Sequence, residues 1–155
     1  MKIELVPVGV VRSPRTEMVD DYWGKVVSVI EIDGERFSPE ALRGLEGFSH
    51  LEIVFFLHLV PEEKIETAAR HPRNRMDWPR VGIFAQRGKN RPNRIGVSVC
   101  RLLRVEGLSI TVEGLDAIDG TPVLDVKPYI REFGPRGEVR QPDWATELMA
   151  EYYVG

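Results

Sequence analysis

Cysteine is nearly absent from this sequence, with Cys100 the only one among 155 residues. A chain with one cysteine cannot form an intramolecular disulfide, which is typical of proteins from reducing compartments. Long apolar runs are also missing, because the most apolar stretch, residues 51–60, still contains Glu52 and His58. A membrane span needs roughly 20 apolar residues. We therefore expect a cytoplasmic protein without a membrane segment.

Several signatures of nucleotide-binding and catalytic folds are missing as well. No G-x-G-x-x-G motif follows a predicted strand and no P-loop is present, which disfavours a Rossmann or P-loop domain. None of the three histidines has metal-ligand spacing with Cys100, so we expect no metal site. Serine, histidine and aspartate occur without a nucleophile-elbow pattern, so hydrolysis by a catalytic triad has no support.

Glycine (14 residues) and proline (11 residues) interrupt the chain at short intervals, which favours short strands. Seven segments read as strands from their apolar, β-branched and aromatic content: 3–11, 24–33, 51–59, 81–86, 95–105, 108–115 and 121–130. The regular alternation of strand and helix that builds a doubly wound sheet is missing. We therefore predict one mainly β domain over residues 1–155, a small non-Rossmann β-barrel with short helices.

Two helices are predicted beside the strands. Ser38 is a candidate N-cap with Pro39 in the first helical position and Gly44 as the stop, which indicates a helix of one or two turns. Near the end, apolar residues recur every four positions and predict an amphipathic helix over residues 143–152. They are Trp144, Leu148 and Tyr152.

Charge is distributed unevenly along the chain. Residues 70–104 hold ten Lys or Arg and one acid, a net charge of +9, whereas the rest of the chain has eleven bases and twenty-three acids, a net charge of −12. A basic segment on an acidic protein indicates an anionic partner, of which nucleic acid is the commonest. Arginines that neutralise acidic neighbours in the fold, or in a second subunit, would give the same distribution.

The segment 115–130 combines a turn with a patterned strand. The Asp119-Gly120 step is a turn signal, and such a turn can present backbone N–H groups to a ligand. Beyond it the even positions are apolar and predict the core face, while the odd positions are polar except at Val123. A plain turn followed by a solvated strand, with an ion pair between Asp125 and Lys127, is an equally good interpretation.

The second informative segment is the loop that follows residues 82–86. It carries four cations in eight residues, and the fixed fork of arginine suits phosphate or carboxylate. They are Arg87, Lys89, Arg91 and Arg94. A charged hairpin loop without a ligand would look the same. His58 lies in an apolar strand, where a histidine is more often a core residue than a catalyst.

Four pieces of the sequence, in order along the chain, resemble the TsaA-like family. They are Val11-Arg12-Ser13-Pro14, residues 44–51, residues 82–93 and the string D-x-x-D-G-T-P-V-x-D-x-K-P-Y that ends at Tyr129. The resemblance implies a β-barrel that binds S-adenosylmethionine, typically as a homodimer. It also implies N-methylation of N6-threonylcarbamoyladenosine next to the tRNA anticodon. The chain departs from the family at Gln86 and Arg94, where threonine and proline are usual.

The resemblance also implies roles for single residues. The cofactor-binding residues would be Tyr22, Trp23, Gly24, His58, Leu59, Arg87, Val97, Asp119, Gly120, Thr121 and Pro122. Asp119 is the best candidate proton acceptor for an in-line methyl transfer, a reaction that depends mainly on positioning. Of the loop cations, we assign Arg87 to the cofactor and Lys89, Arg91 and Arg94 to RNA phosphates. Because Pro92 fixes the backbone beside Arg91, the alternative for Arg91 is a structural role instead of RNA binding.

Two other functions also fit the sequence. Longer bacterial members carry a C-terminal domain that we expect this chain to lack, and that domain could help to hold tRNA. A methyltransferase of a small molecule would therefore also fit the sequence. A β-barrel that binds a nucleotide or RNA without catalysis would explain the basic segment without any cofactor.

Overall fold

The computed structural model describes all residues from Met1 to Gly155 and contains a closed six-stranded antiparallel β-barrel. The strands are β1 (Gly9–Arg12), β2 (Val27–Ile32), β3 (His50–Phe56), β4 (Ala69–Arg70), β5 (Val81–Gly82), β6 (Ile95–Glu106), β7 (Ser109–Glu113) and β8 (Pro122–Pro128). The barrel order is β1-β2-β7-β6-β3-β8, and β4 pairs with β5 as a separate ribbon. The prediction of a mainly β, non-Rossmann barrel is confirmed.

The barrel interior is filled by alternate side chains of its strands. Twelve buried residues form one core, including Val11, Ile30, Ile53 and Val112, each of which is fully removed from solvent. Burial of such a side chain contributes roughly 1.5–3 kcal/mol to folding. The apolar residues that recur at every second position in the sequence are therefore the ones that fill the barrel interior.

The predicted face of β8 is wrong at its start. Val123, assigned to the polar face, is fully buried in the core. A bulge causes this difference, because Phe55 pairs with Val123 while Val54 pairs with Asp125, so Leu124 has no partner. The extra residue reverses the in–out alternation. The ion pair between Asp125 and Lys127 is present, with an N···O distance of 2.9 Å.

Several element boundaries differ from the sequence prediction. The helix after Ser38 is a single 3-10 turn, Pro39–Leu42, to which Ser38 gives no side-chain cap. Strand β5 stops at Gly82 and a 3-10 turn, Ile83–Ala85, follows. Residues 3–6 have a strand-like sequence but no partner strand, so pairing begins only at Gly9. Helix α1 (Asp143–Leu148) is shorter than predicted. No helix has the length and apolar character needed to cross a bilayer.

Residues 57–94, which we name the excursion, leave the barrel between β3 and β6 and pack beside it. Arg73 holds the excursion to the barrel side with two hydrogen bonds to Asp21, of 2.9 and 3.2 Å. The indole N–H of Trp78 donates to Glu147 of α1 at 2.7 Å. Residues 142–155, which we name the C-terminal segment, are thereby joined to the excursion.

Cys100 should not react with thiol reagents in the folded protein. It is 2% exposed, and burial, with the negative charge of Asp116, raises the pKa of its thiol from 9.0 to about 12. The thiol form therefore stabilises the fold fully below pH 9, and this contribution is lost as the pH rises from 9 towards 12. We expect no labelling by a disulfide reagent at pH 8 and full labelling in denaturant. Rapid native labelling would contradict the buried position.

Candidate functional site

A cleft of about 1140 Å³ lies between the barrel, the excursion and the C-terminal segment. The cleft lies where β6 extends beyond the end of β7. Strand β6 pairs with β3 along residues 95–101, but its pairing with β7 begins only at Arg101. The first half of β6 therefore has one edge without a partner strand, and that edge faces the cleft.

The open edge presents specific backbone groups. Leu57 and Leu102 donate their N–H groups to Arg94 and Ser49, so the even-numbered residues of β6 are the ones bonded to β3. In an antiparallel pair the N–H and C=O of one residue point to the same side. Those of Val97 and Val99 therefore point to the open edge. The guanidinium of Arg87 donates to the carbonyl of Val97 at 2.7 Å.

The structure brings together six of the eleven predicted cofactor-binding residues. Those that line the cleft are Trp23, His58, Leu59, Arg87, Val97 and Thr121. Gly120 borders it, since a Cβ added there would lie 3.8 Å from Nε2 of His58. Tyr22 and Gly24 instead face the C-terminal segment. Pro122 pairs with Val10 of β1.

The turn at residues 118–121 does not offer free backbone N–H groups, contrary to the sequence prediction. The N–H groups of Asp119, Gly120 and Thr121 donate to Arg15, Val11 and Ile118, respectively. Gly120 has a φ of 81°, a conformation that favours glycine. One carboxylate oxygen of Asp119 accepts the N–H of Ser13 at 3.0 Å. The turn therefore closes the barrel end and fixes the loop that precedes Trp23.

Five of the ten cations of the basic segment form ion pairs within the fold, namely Arg73, Arg75, Arg94, Arg101 and Arg104. Arg94 donates to the carbonyl of Val60 at 2.7 Å and stacks on Phe56 at 4.8 Å, so its side chain has contacts within the fold, and its assignment to RNA phosphates stays a prediction. Arg91 donates to the carbonyl of Gln86 at 2.7 Å. This contact is the structural role that the sequence offered as the alternative to RNA binding. Gln86 itself donates to Arg70 and Val81. Both departures from the family pattern, Gln86 and Arg94, thus have structural contacts in this chain.

Two cations of the basic segment make no hydrogen bond or ion pair. Lys89 lines the cleft, whereas Arg80 lies on the outer surface of the excursion. Arg87, which is exposed and makes one contact to the backbone, and Lys64, which lines the cleft without a hydrogen bond or ion pair, are further positive charges available to an anionic ligand.

The sequence prediction missed one polar group of the cleft. Asp116 lies three residues before Asp119 in the same string, and one of its carboxylate oxygens accepts the hydroxyl of Tyr152. The other oxygen is buried without a partner. Burial and the charge of Asp116 raise the pKa of Tyr152 and, to a smaller extent, the pKa of Tyr153. The apolar face predicted for the last helix could have indicated that this segment borders the site, since Trp144, Leu148 and Tyr152 all line the cleft.

No group of three His, Cys, Asp or Glu side chains is arranged to hold a metal ion. The cleft combines an open strand edge, a guanidinium, a carboxylate and aromatic rings. Such a surface can bind a ligand that carries both charges and a heterocycle.

Comparison with known proteins places this architecture. The sequence matches the family described as tRNA-methyltransferase O N-terminal domain over residues 14–134. It is 38% identical over 132 residues to a tRNA (adenine(37)-N6)-methyltransferase of Escherichia coli, covering 79% of this chain and 56% of that protein. The human protein of the same description is 41% identical over 106 residues, covering 68% of this chain and 24% of that protein.

A relative of similar length and a solved structure agree with this placement. A probable S-adenosyl-L-methionine-binding protein of Methanothermobacter thermautotrophicus is 37% identical over 141 residues, covering 88% of this chain and 97% of that protein. The crystal structure of TrmO from P. aeruginosa superimposes with a TM-score of 0.74 at 31% identity, covering 92% of this chain and 61% of that one. The chain therefore spans about half the E. coli relative and a quarter of the human one, and it belongs to the tRNA-methyltransferase O N-terminal domain family.

Proposed function

We propose that this protein is an S-adenosylmethionine-dependent methyltransferase that acts on adenosine 37 of tRNA, next to the anticodon. Its substrate is N6-threonylcarbamoyladenosine at that position, and the methyl group is added to the N6 nitrogen. The observation that carries the proposal is the cleft at the open edge of β6. There the fold gathers Arg87, Val97, Trp23 and His58 from four separate segments. The family membership and the names of the relatives support the same reaction.

The residues of the cleft suit the chemical parts of S-adenosylmethionine, the methyl donor. S-adenosylmethionine supplies a methyl group on a positively charged sulfur, from which an acceptor nitrogen can take it in one displacement while losing its own proton. Arg87 is placed to bind the carboxylate of the amino-acid part, because an exposed guanidinium forms charge-assisted hydrogen bonds with carboxylates. The backbone of Val97 and Val99 can pair with the edge of a heterocycle. Asp119 holds the Ser13 loop, so we assign it positioning rather than proton transfer.

The basic charges favour tRNA as the acceptor. Lys89 lines the cleft without a partner, and Arg80 is exposed on the same excursion. Free cations beside a catalytic cleft bind the phosphates of RNA. A tRNA substrate would place the protein in the cytoplasm.

We also infer a homodimer, because Ile3, Leu5 and Val6 are 74%, 60% and 64% exposed in a strand-like segment without a partner. Light scattering should therefore give twice the chain mass at micromolar concentration.

The proposal is tested by binding and by product analysis. Calorimetry should detect S-adenosylmethionine binding to the purified chain. Incubation with tRNA that carries N6-threonylcarbamoyladenosine should add one methyl group to that nucleoside, measured by mass spectrometry of the digested tRNA. The same tRNA with guanosine at position 37 is the control and should gain none. Absence of cofactor binding at millimolar concentration would refute the proposal, and methylation of both tRNAs would refute its site.

Substitution of the loop cations should separate tRNA binding from folding. Lys89→Ala should leave the melting temperature unchanged, weaken tRNA binding and reduce the slope of log affinity against log salt by about one unit. Arg94→Ala removes the bond to Val60 and the stack on Phe56, so it should destabilise the fold by about 1–3 kcal/mol. Salt titrations of tRNA binding and thermal melts measure the two effects. Equal tRNA affinity of Lys89→Ala and the parent would remove Lys89 from the RNA surface.

A further inference from the structure

One group of side chains in the cleft joins the barrel to the C-terminal segment. Asp116 follows β7 and lies against the barrel, whereas Tyr152 and Tyr153 come from the C-terminal segment. The hydroxyl of Tyr152 donates to one oxygen of Asp116. All three residues line the same cleft as Arg87 and Val97.

The two tyrosine rings stand almost at right angles to each other. Their centroids are 4.9 Å apart and their planes are inclined by 79°. In this edge-to-face contact the edge of one ring lies on a face of the other, and the ring faces that stay open carry negative potential. Such faces next to a negative charge attract onium cations. Tyr153 is 50% exposed, so its ring is accessible from the cleft.

The carboxylate of Asp116 adds the negative charge to this arrangement. Its second oxygen is buried and lacks a hydrogen-bond partner. A buried carboxylate without full compensation is costly, and a neighbouring positive charge reduces that cost. Burial and, second to it, the charge of Asp116 raise the pKa of Tyr152, Tyr153 and Cys100, so the field of this carboxylate reaches its neighbours. A cation in the cleft would therefore be stabilised even without direct contact.

We propose that Asp116, Tyr152 and Tyr153 form a cation site that recognises the sulfonium of the methyl donor. This inference rests on the proposed function and adds a source of selectivity to it. Arg87 would bind the carboxylate of the donor on one side of the cleft, and the tyrosine pair with Asp116 would bind the sulfonium on the other. Once the methyl group has left, the sulfur is a neutral thioether. The site then loses its attraction for the product, S-adenosylhomocysteine, and favours its exchange for a new donor.

The test compares affinities for the two forms of the cofactor, because they differ in one methyl group and one charge. Calorimetry on the full chain should give the wild type a preference for S-adenosylmethionine over S-adenosylhomocysteine of about tenfold. Asp116→Asn and Tyr153→Leu should each reduce this preference by about three- to tenfold through weaker donor binding, with product binding unchanged. Tyr152→Phe retains the ring and should keep the preference.

Matched controls remove the same groups elsewhere. Asp125→Asn deletes a carboxylate on the outer surface of β8, and Phe133→Leu deletes an aromatic ring that is 83% exposed outside the cleft. Both should leave the preference intact. If Asp116→Asn does not fold, Tyr153→Leu still decides, because its half-exposed side chain is not part of the barrel core.

The outcomes separate the two proposals. An unchanged preference in Asp116→Asn and Tyr153→Leu, or equal weakening of donor and product, would overturn the cation site and leave the proposed function standing. If the wild type binds neither molecule, the proposed function fails and the cation site fails with it.

Discussion

Replacement of Arg87 by alanine is expected to weaken S-adenosylmethionine binding about 10- to 100-fold. A hydrogen bond from a charged group contributes about 1.5–3 kcal/mol, and each 1.4 kcal/mol corresponds to about tenfold in affinity. The guanidinium lies at the open edge of β6, where it donates to Val97 at 2.7 Å and lines the cleft. Its loss would remove the cation for the donor carboxylate and the contact that holds the excursion to this edge.

Two further variants make the Arg87 prediction specific. Arg87→Lys retains the charge but loses the planar fork, so its affinity should fall between those of the parent and alanine variants. Arg80→Ala removes an exposed arginine of the same excursion that lies outside the cleft, and it should bind the cofactor as the parent does. Calorimetry measures all three. If Arg87→Ala and Arg80→Ala have the same effect, the guanidinium does not contact the cofactor.

The barrel could be predicted because its strands carry local signals. Alternating apolar residues, with turn residues between them, indicate a half-buried strand whatever its partner is. The interior residues Ile30, Leu51 and Ile53 follow this pattern and are fully buried. The resemblance of four sequence pieces to one family then indicated how such strands are joined.

The errors lie where long-range pairing decides. Val123 belongs to the core because a bulge opposite β3 changes the register, and one strand by itself does not show where its partner will bulge. The contact of Arg94 was not predicted either, because its acceptor, the carbonyl of Val60, lies 34 residues away in the sequence. A positive charge in a sequence does not show which groups of the fold it will contact.

The candidate site was predicted only in part, for the same reason. Trp23, His58, Arg87 and Val97 were identified through the family resemblance, and the structure places all four around one cleft. The open edge of β6 was not predictable, since it depends on where β7 begins to pair. Asp116 was part of the recognised string, but its contact with Tyr152 joins residues 36 positions apart.

The C-terminal segment should be released from the barrel by a single methyl group at Gly24. A Cβ at this position would lie 1.9 Å from the carbonyl oxygen of Tyr153, a backbone atom that cannot move aside alone. The neighbouring N–H groups of Tyr22 and Trp23 donate to Glu151 and Tyr152 at 3.1 and 2.8 Å. Gly24→Ala should therefore break a continuous backbone contact rather than one side-chain bond.

The consequences of Gly24→Ala should reach both stability and the cleft. Overpacking and the loss of these hydrogen bonds should destabilise the protein by about 2–4 kcal/mol. Limited proteolysis should cleave the C-terminal segment first, and cofactor affinity should fall because Tyr152 and Tyr153 leave the cleft. Gly47→Ala is the matched control, since a Cβ there meets no atom within 4 Å. A Gly24→Ala protein that melts and resists protease like Gly47→Ala would show that the C-terminal segment does not depend on this backbone contact.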